Sequence, residues 1–158
     1  MFYTIILALH SVLRWLVLIA AVAAVVRAGQ GWLGKRPWAK LDDRLGLIYT
    51  SLLDTQLLVG LILYIFLSPL TQAAFADLGA AMREPTLMFF AIEHIFTMVV
   101  AVVLAHVGRA LSRRAAEGAK HARAALWYTL SLLAMLVAIP WPFLAYGRPL
   151  NPFWMFGG

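Results

Sequence analysis

The sequence predicts an all-α protein, a four-helix transmembrane bundle of up-down-up-down topology that forms one domain over residues 1–158. Three observations lead there. The residues are 63% hydrophobic and 13% charged, with a mean hydropathy of +0.85, whereas a soluble domain has roughly 45–50% apolar and about 25% charged residues. So short a chain leaves much of its surface outside, and lipid has to cover the excess. Four apolar runs, at about 3–26, 45–67, 86–107 and 124–146, each approach the ~20 residues that a spanning helix needs. Lysine and arginine, finally, crowd into alternate connections.

The first run has no basic segment before it and no small-residue cleavage site after it, and Arg14 lies inside it. It reads as a retained helix and not as an export signal. The connection over residues 27–38 is rich in glycine and basic residues and reads as a turn. Prolines 69 and 85 bracket the next connection, and residues 72–82 within it are expected to form a short amphipathic surface helix. The third connection, residues 109–123, is again basic.

Arg27, Lys35, Arg36, Lys40 and Arg44 lie in or beside the first connection, and Arg109, Arg113, Arg114, Lys120 and Arg123 in the third. The other side carries only Arg83 and Arg148. Positive loops stay in the cytoplasm, so both termini and the 68–85 connection are expected on the side away from it. The same asymmetry accounts for the formal charge of +6 without nucleic acid, for which no reading helix or stacking stripe is present. The absence of cysteine excludes disulfides, thiolate metal sites and cysteine nucleophiles.

Ionisable residues at membrane depth usually mark function. Here they are His10, Arg14, Asp54, Glu93, His94 and His106. His10 lies about seven residues in from the outer end of its run and His94 about eight in from its own, a matched depth of roughly 10–12 Å at the helical rise. Gly60 stands at the same level on the second run. The pair Ile139-Pro140 stands there on the fourth, where a kink is expected.

Two imidazoles facing each other across a slot can hold the two axial positions of a haem iron. Gly60 would let the macrocycle approach the backbone, and Gln56 lies one turn away on the same face. Arg14, one turn from His10, is a fixed charge for a haem propionate or for Asp54. An interhelical Arg14–Asp54 ion pair is the structural expectation, and a proton or quinone path the functional alternative. A buried histidine bonded to a neighbouring helix is the alternative for each imidazole. Glu93 is either a hydrogen-bonding group or a third metal ligand beside His10 and His94. His106, 120° around the helix from His94, is expected at an interface, and His121 in the third connection, so that one haem is expected and not two. Tryptophans 15, 32, 38, 127, 141 and 154 read mostly as an aromatic belt, and Ala91, His94, Ala101, Ala105 and Gly108 as a packing stripe.

The stretches His10-Ser-Val-Leu-Arg14-Trp15, Gly31-Trp-Leu-Gly-Lys-Arg-Pro, Gln56-Leu-Leu-Val-Gly60-Leu-Ile-Leu-Tyr64, Phe90-Ala-Ile-Glu93-His94 and Ile139-Pro-Trp-Pro-Phe143 together resemble the small four-helix bacterial membrane proteins labelled cytochrome b. The resemblance runs through all four helices. It implies a b-type haem with His10 and His94 as ligands, and electron transfer with a partner protein or a quinone, within a homo-oligomer or larger complex. The alternatives are a non-redox membrane subunit or scaffold, and a metal- or proton-handling protein using His10, Glu93 and His94.

Overall fold

The computed structural model describes residues 1–153; Trp154 of the expected belt lies outside them. Among the described residues all regular structure is helical. Four helices are long and apolar enough to cross a membrane: α1 (Phe2–Leu33), α2 (Lys40–Leu67), α5 (Pro85–Arg114) and α6 (Glu117–Ala138). Two short helices, α3 (Pro69–Ala76) and α4 (Leu78–Ala81), connect α2 to α5. Their composition makes this a multi-pass membrane protein.

Helix α1 continues past the expected end, through the glycines that suggested a turn. Ala24, Ala28 and Gly31 are buried there, and a Cβ on Gly31 would run into the His121 imidazole of α6. Gly31 is therefore a point of close approach between helices and not a break. The turn comes at Gly34, where Arg36 N–H donates to Gly31 O (2.9 Å) and Lys35 N–H to Trp32 O (3.3 Å). This is a Schellman closure, with Lys35 in the left-handed region at φ 48°.

Helix α2 begins at Lys40, five residues before the apolar run, because Asp42 organises its start. One carboxylate oxygen accepts from Ala39 N–H at 2.7 Å and the other from Arg27 Nε at 2.7 Å, tying α1 to α2. The last turn of α2, Leu63–Leu67, is π-helical, as is Phe89–Glu93 within α5. Single π turns of this kind concentrate at functional sites.

The expected surface helix over residues 72–82 is instead two short ones, since Asp77 breaks the run by capping α4 through Ala80 N–H at 2.9 Å. Glu84 caps α5 in the same way, accepting from Leu87 N–H at 2.6 Å. That bond holds its carboxyl below the usual carboxylate range.

Helix α6 is displaced toward the N-terminus of its expected span. It starts early enough to bury His121, which lies in the helix and not in a loop. It ends at Ala138, so Ile139-Pro140 terminates the helix and does not kink it. Ile139 is extended (φ −73°, ψ 129°), the conformation that a following proline imposes.

The long helices form a closed ring in which α1 packs on α2 and α6, and α5 on α2 and α6. Their contact is made by small residues. Ala21, Ala24, Ala28, Ala101, Ala105 and Ala124 are buried, and a Cβ on Gly108 would come within 2.7 Å of Trp127 Cβ. Small residues let membrane helices approach where apolar burial supplies no driving force between them. Ser131 adds a polar tie, donating to Ala101 O (2.6 Å) while its oxygen meets the Tyr49 hydroxyl (2.6 Å). Beyond Ala138 the chain folds back, and the Leu150 carbonyl accepts from both Arg14 Nη2 and Trp15 Nε1 at 3.3 Å.

Candidate functional site

The starts of α1 and α5 and the ends of α2 and α6 meet at one end of the bundle, around a cleft. It is open at the mouth, and apolar side chains make up most of its lining. His10, Arg14, Gln56, Gly60 and His94 all line it, so the five residues expected to hold a cofactor share one cavity. Both π turns border it, through Leu63, Tyr64 and Phe90.

His10 and His94 face each other with ring centroids 6.4 Å apart and planes 68° to one another. His94 is oriented by α6: its Nδ1 lies 2.8 Å from Ala138 O. A carbonyl only accepts, so Nδ1 carries the proton and Nε2 is left with a lone pair. Ala138 can offer that carbonyl because the helix ends there, and residue 142, which would donate to it in a continuing helix, is a proline without an N–H. His10 packs against bare backbone: a Cβ on Gly60 would stand 3.1 Å from its Cε1. Gln56 Nε2 reaches His10 Nε2 (3.3 Å) and His10 O (3.1 Å).

Three buried polar atoms on this wall have no hydrogen-bond partner among the described residues: His10 Nδ1, Gln56 Oε1 and Arg14 Nε. Each such atom costs about 1–3 kcal/mol. All three residues line the cavity.

The donor set can be tested against a metal-centred group. Imidazole nitrogens bind first-row metals at about 2.0–2.1 Å, so two rings in line across one ion have centroids about 6.3 Å apart. The spacing found is 6.4 Å; His94 Nε2 is free of the Ala138 bond, whereas His10 Nε2 lies 3.3 Å from Gln56 Nε2, and that amide has to turn away before both imidazoles could serve one ion.

Other expectations are corrected. Arg14 and Asp54 do not pair. Asp54 lies two residues before Gln56, a rotation of about 200°, so with Gln56 in the cleft Asp54 points outward. Its partner is His106 of α5, Nε2 to Oδ1 at 2.8 Å, both side chains about half exposed on the α2–α5 seam. Arg14 keeps the His10 face and bonds the returning chain. Glu93 is exposed, turned about 100° from His94, and does not join the two histidines. Among the described residues no three His, Cys, Asp or Glu side chains come together.

Reading the sequence missed Arg148, which also lines the cleft and lies over the Phe90 ring at 4.6 Å. The signal was present in Pro140-Trp-Pro142 and Gly147, breakers that rule out a helix through residue 146 and leave the chain free to return. Tyr146 is stacked on Phe89 at 3.8 Å in the same return. Compared with family models, curated proteins and solved structures, the chain matches none.

Proposed function

We propose that this protein is a b-type membrane cytochrome that carries one haem between His10 and His94 near the outer face of a bacterial inner membrane and takes part in electron transfer. The observation that carries the reading is the 6.4 Å separation of two imidazoles across a cavity. Such a group, held by His10 and His94, would supply one-electron chemistry.

The chain's own contributions are positional. The Ala138 carbonyl fixes the tautomer and ring orientation of His94. Gly60 leaves the space that a flat ring needs beside His10, and Gln56 supplies an amide at the same wall. Leu53, Leu57, Ile95 and Met98 give the cleft apolar walls.

Sidedness belongs to the same proposal. Ten of the basic residues lie in the α1–α2 and α5–α6 connections or in the helix ends that flank them, which supports a cytoplasmic position for that end of the bundle. The cleft and both termini are then periplasmic, with the helices running up-down-up-down. The Asp54–His106 pair, half exposed at membrane depth, favours association with another membrane protein, since a polar pair facing hydrocarbon is costly. That supports a subunit role and is compatible with the cytochrome reading.

Oxidised and dithionite-reduced absorption spectra of protein expressed with adequate haem test the reading. A Soret band with sharp reduced α and β bands is expected. A colourless protein would sink it.

A further inference from the structure

Two ion pairs lie on the seam between α2 and α5, and they have the same sense. Asp54 meets His106 Nε2 at 2.8 Å and Asp43 meets Arg113 Nε at 3.5 Å, so α2 supplies both acids and α5 both bases. All four side chains are about half exposed. Asp43 and Asp54 are eleven residues apart, within about 20° of three full turns, and His106 and Arg113 are seven apart, within about 20° of two. The seam therefore carries a line of acids beside a line of bases.

Asp43 and Arg113 stand near the ends of their helices, within reach of headgroups and water. Asp54 lies near the middle of α2 (Lys40–Leu67), where hydrocarbon would cover the exposed half of its pair. Ionisable groups at that depth turn to the bundle interior or to a protein neighbour. Leu47 and Leu58 on α2, and Val99 and Val103 on α5, lie on the same two faces and are exposed, so the polar pair has apolar flanks. A twofold axis along the membrane normal keeps depth and sets the acid line of one copy against the base line of the other. The seam is thus complementary to itself, which is what an isologous contact requires.

We infer that the α2–α5 seam is the contact between two copies of this chain, in which Asp54 and His106 of each copy meet His106 and Asp54 of the other, out of lipid. The inference rests on the reading of that pair as an association surface and names its occupant; it does not depend on what fills the cleft. In the dimer the polar set fixes the register, as single polar positions do between paired helices, and the apolar flanks supply packing.

The chain has no cysteine, so the contact is tested by disulfide cross-linking of full-length chains that carry two different tags and share one membrane. One chain carries Leu58→Cys and the other Val103→Cys, each about one turn from the polar pair. Oxidation is expected to join the two tags, severalfold more than when Val103→Cys is paired with Leu130→Cys on the exposed face of α6. In this background Asp54→Asn and His106→Asn are each expected to lower the yield, and the exchange of Asp54→His with His106→Asp to recover it. Unchanged circular dichroism reports that a variant is folded. Absence of the Leu58–Val103 product overturns the inference, as does an equal yield with Leu130→Cys or a yield indifferent to the Asp54 and His106 variants. A Leu58→Cys product that contains a different protein in place of the second tag also overturns it. The Soret band of the same preparation reports on the haem reading separately from each of these outcomes.

Discussion

His94 donates Nδ1–H to the carbonyl of Ala138 at 2.8 Å, and this one bond links the end of α6 to the chemistry of α5. It orients the ring with its second nitrogen free of this bond, and the ring centre lies 6.4 Å from that of His10. The bond exists because Pro140 stops α6 before that carbonyl can be used within the helix.

The histidine pair gives the most direct prediction. His10→Ala and His94→Ala should each leave a protein that binds haem more weakly, with the six-coordinate low-spin spectrum replaced by a high-spin one. The double variant should bind none. Electron paramagnetic resonance of the ferric protein separates these states. A low-spin signal unchanged by His94→Ala removes that residue from the ligand pair.

Gly60 is expected to matter through volume alone. A Cβ there stands 3.1 Å from His10 Cε1, which a small shift of the ring can absorb. The larger Gly60→Val should displace the imidazole and lower haem affinity about tenfold or more, while circular dichroism stays that of the wild type. Interior side chains have little room to give. Normal haem affinity in Gly60→Val would show that the ring approaches elsewhere.

At the other end, Gly31→Ala should destabilise the bundle by about 1–3 kcal/mol, the usual range for overpacking. Its methyl would meet the His121 ring, which is itself buried. Thermal unfolding in detergent measures the loss. His121→Ala in the Gly31→Ala background should recover part of it, since residues in contact are not additive.

The absence of cysteine makes sidedness testable by single-cysteine labelling. A Cβ on Gly118, in the first turn of α6, meets nothing within 4 Å, and one on Gly79, between α2 and α5, makes only an ordinary contact with Asp77. In intact cells a membrane-impermeant maleimide should label Gly79→Cys and spare Gly118→Cys. Inverted membrane vesicles should reverse the pattern. The opposite result would turn the bundle over.

Much of the fold was legible because the bilayer demands it. Long apolar runs can satisfy their backbone groups only as helices, so their number and order followed from composition. The matched depth of His10, Gly60 and His94 followed from a constant rise per residue, and the cleft contains all three. The ends of helices were less legible. The glycines after Arg27 carry the composition of a turn, and only the ring of His121 shows that Gly31 is a contact.

The partner of each polar side chain was decided by rotation about the helix axis, which depends on how neighbouring helices pack. Arg14 and Asp54 have matching depth and opposite charge, and the tertiary structure turns them to different faces. Asp54 meets His106, and Arg14 meets the returning chain. The sequence by itself determined four helices, their polarity of charge and the level of the two histidines. The tertiary structure decided which side chains share the cleft, because facing depends on helix phase and chain return, and brought in Arg148 from a segment whose position only packing defines.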